Sequence, residues 1–347
     1  MRNPMVGVAP KLVLSFVVMI ECQALSAQFN KVFDISYEES TPLNGKPIAT
    51  PAGKLDQPGA FYYHNGYYFI LNEYGDDRLT VLDSKFRFAN AINSSEFAYR
   101  IFEMVFHGEK ASLFSGVGAA TYNWRDLIHP GSLEGMQAPV ILNSVFRESV
   151  FWWKDDLFVI HRNGDENMQD RVAVYDGKGK IRSFGRLPEG YRDANLNRNH
   201  HLSSIAAIDR ETELFYLAYE YADLIEVYSL KTGEKLGQAH NIKYQFPPDH
   251  KVSMDGVAYP ESDYYYFQTI KAAHGKLYAL HRYRIPNFPT KSHPKMKLLI
   301  FDGTSLELED VYELDEDWTD FIVFEDQLLG LCYYCEYPVR RYAISLP

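Results

Sequence analysis

One pattern returns along the chain: an apolar strand, a tight polar turn, a second apolar strand, a polar loop and two further strands. Its clearest copies lie at residues 60–92, 150–185 and 203–240. The first copy turns at Asn65-Gly66, and an Asn-Gly pair between apolar strands is the strongest short hairpin signal. A regular series of four-strand units predicts a closed ring of small sheets rather than two unrelated β-sandwiches.

Three further copies complete the series. The fifth covers 264–314, the sixth begins at Thr319 and stops after three strands, and the copy within 98–144 is the least regular. Because a missing fourth strand leaves an exposed edge, we expect the isolated strand pattern at 29–37 to pair with the last blade and close the ring. The prediction is an all-β fold, a six-bladed β-propeller of four-stranded antiparallel blades, in a single domain over 28–347.

Composition supports this prediction and excludes some partners. Aromatic residues make up 15% of the chain, and such residues favour strands. Lys and Arg number 35 against 46 Asp and Glu, a formal net charge of −11, and no basic block is present. Such a chain has no electrostatic footprint for nucleic acid or for a polybasic membrane contact, so we predict neither.

The first 27 residues have the pattern of an export signal. Arg2 and Lys11 precede the apolar stretch 12–20, and small residues follow before residue 28. That stretch is too short to span a bilayer, so we predict a cleaved signal, no transmembrane span, and a mature protein in the periplasm or at the cell surface. Lipid anchoring at Cys22 is disfavoured, because Glu21 stands where a small residue is expected.

The mature chain has two cysteines, Cys332 and Cys335, within a segment that is typical of a strand. Residues three apart in an extended strand lie roughly 10 Å apart, whereas a disulfide needs Cα atoms within about 7 Å. A disulfide could form only if the chain turns after Tyr334. The sequence therefore favours two buried structural thiols.

A candidate site follows from the ends of the predicted second strands. In a propeller these ends share one face with the connections between blades, and here they carry polar and aromatic groups that can bind a small polar ligand such as a sugar or peptide. The predicted ligand-binding residues are Asn72, Glu73, Tyr74, His161, Arg162, Tyr219, Glu220, His281, Arg282 and Tyr333. The same acids and arginines also suit a purely structural belt of ion pairs.

A calcium site is the competing interpretation of this face. Asn72, Glu73, Asn163 and Glu220 offer oxygen ligands, and His161 or His281 could act as a general base. Two arginines at the same level oppose a divalent cation, so no metal or other cofactor is predicted. No spacing typical of zinc and no nucleophile motif is present in the sequence.

Three segments carry a family resemblance: KLYALHRYRIP at 276–286, KLLIFDGTSLELEDVYEL at 297–314 and DFIVFEDQLLGL at 320–331. Together with the strand order, they resemble the six-bladed TolB-like β-propeller superfamily, and within it the uncharacterised exported propellers of Gram-negative bacteria. The resemblance implies the propeller fold and an exported location. It supplies no catalytic residues.

The sequence thus leads to three functional hypotheses. The first is an exported, monomeric, non-catalytic binding propeller that takes a small polar ligand or a protein of the cell envelope. The second is a calcium-dependent hydrolase or lactonase that uses the same funnel. The third is a scaffold within an envelope complex.

Overall fold

The computed structural model describes residues 32–34, 39–51, 55, 57–73, 75–93, 101–115, 118–129, 136–137, 147–161, 170–186, 204–219, 224–240, 250–252, 258–260, 264–284, 296–324, 327–332 and 335–344. The predicted export signal and Cys22 lie outside the described residues. Among the residues that are described, no helix is long and apolar enough to cross a membrane.

Three short strands precede the first blade, namely β1 (Val32–Asp34), β2 (Thr41–Leu43) and β3 (Lys46–Ile48). Blade 1 contains β4 (Pro58–His64), β5 (Tyr67–Asn72), β6 (Asp77–Asp83) and β7 (Phe88–Asn93). Blade 2 contains β8 (Ile101–His107), β9 (Lys110–Ser115), β10 (Gly118–Asn123) and the very short β11 (Met136–Gln137). A 3-10 turn at Asp126–Ile128 follows β10.

Blade 3 contains β12 (Arg147–Trp153), β13 (Asp156–His161), β14 (Asp170–Asp176) and β15 (Gly179–Arg186). Blade 4 contains β16 (Ser204–Asp209), β17 (Leu214–Tyr219), β18 (Leu224–Ser229) and β19 (Lys235–His240). A separate hairpin follows, formed by β20 (His250–Val252) and β21 (Ala258–Pro260).

Blade 5 contains β22 (Tyr264–Ala273), β23 (Lys276–Arg284), β24 (Lys297–Asp302) and β25 (Leu308–Leu314). Blade 6 contains β26 (Trp318–Phe324), β27 (Gln327–Cys332) and β28 (Val339–Tyr342). Its fourth strand is β3, from the other end of the chain. The predicted all-β propeller of six four-stranded antiparallel blades is confirmed.

Six apolar cores hold the ring together, and each lies between two neighbouring blades. The core between blades 6 and 1 contains Phe61 and Ile70 from one side and Leu329 and Leu331 from the other. Because each blade is covered on both faces, its middle strands are largely buried; every residue of β17 is buried. The core between the last and first blades shows that the ring is closed.

Closure by an N-terminal strand is confirmed, but its position in the sequence differs from the prediction. Strand β3 pairs antiparallel with β28, whereas the predicted segment 29–37 contributes β1, which runs parallel to β19 of blade 4. Strand β2 likewise runs parallel to β25 of blade 5. Pro42 and Pro47 obscure the strand pattern there, yet proline is tolerated at a sheet edge, where its missing N–H is not needed. We call β1, β2 and β3 together the N-terminal belt.

The expectation of two free thiols is wrong, because Cys332 and Cys335 form a disulfide. Strand β27 ends at Cys332, so the alternation expected of a continuing strand does not apply. The two Cα atoms lie 5.6 Å apart, inside the usual range for a disulfide. The backbone N–H of Cys332 donates to the carbonyl of Pro338, which brings the chain back toward β28.

Candidate functional site

A cavity of about 510 Å³ lies at the centre of the ring, and the first strand of every blade contributes to its wall. These strands are β4, β8, β12, β16, β22 and β26. We call this cavity the central channel. A cavity of this size is typical of a site for a small molecule.

The six first strands can be aligned by counting back from the last residue of each strand, where a hairpin turn follows. Two levels of the channel then differ in chemistry. The fifth residue from the end of each first strand belongs to what we call the polar ring: Ala60, Glu103, Ser149, Ile205, Thr269 and Asp320. The next-to-last positions form the apolar ring: Tyr63, Phe106, Trp152, Ile208, Ala272 and Val323. All twelve residues line the channel. The cavity is therefore polar toward one end and apolar toward the hairpins.

A β-bulge or register shift precedes the polar ring in five of the six first strands. It lies directly before Ala60, Glu103, Ser149, Thr269 and Asp320. A bulge bends its strand and changes the direction of the next side chain. The repeated irregularity therefore aims this level of residues differently from the rest of each strand.

Four polar side chains meet in the channel, and we call them the channel cluster: Tyr62, Glu103, Lys271 and Asp320. The hydroxyl of Tyr62 donates to Oε1 of Glu103 at 2.6 Å. Lys271 Nζ lies 3.1 Å from Oδ1 of Asp320, a carboxylate whose side chain is only 7% exposed. The same ammonium lies 5.7 Å from the centre of the Tyr62 ring.

Asp320 also joins the last blade to the first. Its Oδ2 accepts from the backbone N–H of Phe61 at 2.8 Å, and its Oδ1 accepts from the N–H of Phe321 at 2.8 Å. A buried carboxylate with these donors and a lysine is fully compensated. Asp320 is thus both part of the channel wall and part of the ring closure.

Glu103 is less completely satisfied. Its Oε1 accepts from Tyr62 and from the backbone N–H of Met104, whereas its Oε2 accepts no hydrogen bond from the described residues. Removal from bulk water raises the pKa of Glu103 to about 7; the Tyr62 hydroxyl and the Lys271 charge oppose this effect. Burial and the neighbouring carboxylate raise the pKa of Tyr62, so its phenol stays protonated. The channel thus holds a carboxyl group that exchanges its proton near neutral pH.

The raised pKa of Glu103 predicts a pH-dependent stability. The folded protein keeps the Glu103 proton up to a pH of about 7, whereas the unfolded chain loses it near 4.5. The stability that Glu103 contributes is therefore present at low pH and is lost as the pH rises through this window, by up to about 1.4 kcal/mol per unit of pKa difference. Urea unfolding between about pH 5 and pH 8 should show the wild type weakening relative to Glu103→Gln. Parallel profiles for the two proteins would contradict the assignment, and Glu234→Gln, at an exposed turn, is the control.

Two predicted site residues lie at the end of β5. Asn72 is buried, and its Nδ2 donates to the carbonyl of Asp77 and to Oγ1 of Thr80, both at 3.0 Å. Glu73 is half-buried and lies against Gly59, where an added methyl group would be 2.8 Å from its Cγ. Because Gly59 lines the channel, Glu73 is placed next to the channel wall.

Three other predicted site residues make contacts within the fold. The Tyr219 hydroxyl donates to Oε2 of the buried Glu226, in the core between blades 3 and 4. His281 is fully buried, with its ring 5.0 Å from that of Phe267. The guanidinium of Arg282 lies 3.5 Å from the carboxylate of Asp317, which is not one of the acids of the predicted belt.

The remaining predicted residues are Tyr74, His161, Arg162, Glu220 and Tyr333. Of these, His161 is described only as the last residue of β13. The other four lie outside the described residues, as does Asn163, and their roles stay predictions.

The predicted site does not include the channel cluster, because the sequence pattern indicated a site at the ends of the second strands. The signal was present in the first strands, where Glu103, Lys271 and Asp320 interrupt apolar runs. A charged residue inside the innermost strand of a blade has the central channel as its natural surroundings. Alignment of the six first strands would have placed these charges together.

One group of side chains in the described part of the chain has the spacing of metal ligands: Glu316, Cys332 and Cys335, with ligand atoms within 4.8 Å of one another. Both sulfurs are in the disulfide, and a metal binds the thiolate form. In its oxidised form this group is not a metal site.

No family model matches this chain, and no curated protein matches its sequence. Among solved structures, a Bacteroides fragilis protein named for its predicted export is 12% identical, with a TM-score of 0.55, over 90% of this chain and 97% of that one.

Two further structures have TM-scores of 0.50. A luciferin-regenerating enzyme is 10% identical over 85% of this chain and 93% of its own. Regucalcin from Agrobacterium tumefaciens, a calcium-binding protein, is 9% identical over 88% of this chain and 95% of its own. At such low identity the likeness shows the fold alone.

Proposed function

We propose that this protein is an exported, monomeric binding propeller that holds a small ligand in its central channel, at the channel cluster. The observation that carries the proposal is the Tyr62–Glu103 pair beside Lys271 and Asp320 in the wall of a cavity of about 510 Å³. Apolar walls with a few converging polar groups are typical of ligand sites.

The unused acceptor on Glu103 indicates what the ligand offers. Asp320 and Lys271 are already paired, but Oε2 of Glu103 has no donor among the described residues. A ligand hydroxyl, amine or amide N–H placed there would supply the missing bond, and hydrogen bonds to a charged acceptor are the stronger kind. This oxygen is not among the buried side-chain atoms that lack a partner, so it is accessible to a ligand in the channel.

Export is supported by two observations. The first 27 residues carry the signal pattern, and the Bacteroides fragilis propeller with the same fold is named for export. Membership in the TolB-like superfamily rests on the segments quoted above. A protein partner in the cell envelope and use of the loop-rich face remain part of the same proposal.

Calcium-dependent hydrolysis is the second candidate function, and the calcium-binding name of the Agrobacterium propeller favours it. Asn72 and Glu73 are adjacent oxygen donors beside the channel, and Oδ1 of Asn72 is buried without a hydrogen-bond partner among the described residues. Against it, the ammonium of Lys271 already occupies one face of Asp320.

Thermal unfolding of residues 28–347 separates these functions. The protein is unfolded with EDTA, with calcium, and with a panel of sugars and short peptides. A ligand at 100 times its Kd adds about 2.7 kcal/mol, a visible shift of the midpoint. We expect a shift with one of the organic ligands that persists in the Glu234→Gln control and is lost in Glu103→Gln.

Two other outcomes would contradict the proposal. A calcium shift that EDTA reverses and that Glu103→Gln leaves unchanged would favour the hydrolase. No shift with any addition, together with no binding of amphipathic carboxylates, would favour the scaffold.

A further inference from the structure

We propose that the channel takes an elongated amphipathic carboxylate, whose anionic end binds Arg210, whose apolar middle lies in the apolar ring and whose far end donates a hydrogen bond to Glu103. This rests on the proposed function of the central channel and names the chemical class of its ligand.

Arg210 lies where the first strand of blade 4 ends, and it lines the channel. Its Nη2 donates to the carbonyl of Trp152, a member of the apolar ring, at 2.7 Å. That contact fixes one edge of the guanidinium, and its other N–H groups make no hydrogen bond to the described residues. No carboxylate among the described residues pairs with it; the nearby Asp209 instead accepts from the backbone N–H of Glu211.

A guanidinium with free donors at the edge of an apolar wall is suited to a carboxylate. Arginine stays charged at any physiological pH, and its planar fork forms paired hydrogen bonds to the two oxygens of a carboxylate. One edge of this fork is already held by a backbone carbonyl, so ligand binding costs little additional side-chain conformational entropy.

The charge of the channel differs from that of the whole protein. The chain carries a formal net charge of −11, yet the charged residues among those described that line the channel are two acids, Glu103 and Asp320, and two bases, Lys271 and Arg210. Lys271 and Asp320 compensate one another. Glu103 and Arg210 are then left as one acid and one base at different levels of the channel, which suits a ligand with a donor at one end and a single anionic group at the other.

The distance between the two polar ends sets the length of the ligand. In blade 3 the polar ring is at Ser149, and Trp152, whose carbonyl holds the Arg210 guanidinium, follows three positions later. At about 3.3 Å per residue, the two levels lie roughly 10 Å apart along the strand. The wall between them includes Phe151, Ala207 and Ile270, and among the described residues it offers no charge besides Lys271. This is the length and character of a medium-chain fatty acid.

The inference is tested by titration calorimetry of residues 28–347 with three probes below their micelle concentrations: octanoate, 8-hydroxyoctanoate and the neutral 1,8-octanediol. We expect 8-hydroxyoctanoate to bind most tightly, since it offers both a carboxylate and a terminal donor. Arg210→Gln should weaken binding of both carboxylates by about tenfold or more and leave the diol unchanged. Arg341→Gln, at an exposed position on β28, is the matched control and should behave as wild type.

Glu103→Gln tests the hydrogen bond at the far end of the ligand. It should weaken 8-hydroxyoctanoate more than octanoate, because only the former has a donor at that end. If the diol binds as tightly as the carboxylates, or if Arg210→Gln changes nothing, the assignment of Arg210 is overturned while ligand binding in the channel stands.

Failure of all three amphiphiles, with a Glu103-dependent thermal shift from a sugar or peptide, would overturn the amphipathic class alone. Failure of every probe in both experiments would overturn the proposed function as well.

Discussion

Replacement of Trp318 by alanine is expected to lower the free energy of unfolding by about 3–5 kcal/mol. Trp318 is 1% exposed and lies in the core between blades 5 and 6. Its indole N–H donates to the Tyr342 hydroxyl at 2.9 Å, and a methyl group added to Gly330 would lie 2.7 Å from its Cδ2. Loss of the ring therefore opens a cavity and leaves the Tyr342 hydroxyl without its donor.

Urea unfolding of the two proteins measures this effect. Tyr337, another large aromatic residue of blade 6, is 41% exposed, so Tyr337→Ala is the matched control and should change stability little. A Trp318→Ala variant no less stable than this control would show that the core between blades 5 and 6 does not hold these two blades together.

Removal of the N-terminal belt should have an equally large effect. A chain that begins at Ala49 lacks β3 and therefore exposes the edge of β28 along Val339–Arg341. It also loses Leu43 from the core between blades 5 and 6, and the bond from the N–H of Gly45 to Asp315. An unpaired edge in a ring that is no longer closed promotes association between copies. We expect this chain to be destabilised by several kcal/mol and to elute as oligomers.

The comparison chain begins at Glu39, which removes β1 but keeps β2 and β3. Its ring remains closed, and light scattering coupled to size exclusion should find it monomeric. A monomeric chain from Ala49 with wild-type stability would contradict the role of β3 in closure.

The blade series is predictable because each blade repeats the same apolar strands and polar turns, with strong local signals such as Asn65-Gly66. The position of the closing strand is not predictable in this way. Strand β3 and its neighbour β2 are three residues long, contain prolines and pair with strands at the far end of the chain. Local propensity carries no information about such distant pairing.

The candidate site, like the fold, is only partly predictable from local sequence. Polarity at strand ends is visible in the sequence, but Tyr219 and His281 are buried within the fold. The charges of Glu103 and Lys271 meet because the ring brings blades 2 and 5 around one axis. The disulfide was not predicted, because the end of β27 at Cys332 is set by tertiary structure rather than by the local sequence.

The N-terminal belt also fixes the order in which this chain can fold. Arg340 donates to the carbonyl of Gly45 across 295 positions of sequence, and β3 has its partner only in the last strand. Strand β3 is synthesised before any blade, yet it remains without its partner until the last blade has formed. Closure across such a long loop is slow. Until β3 pairs, the open edge of β28 in blade 6 is exposed to aggregation.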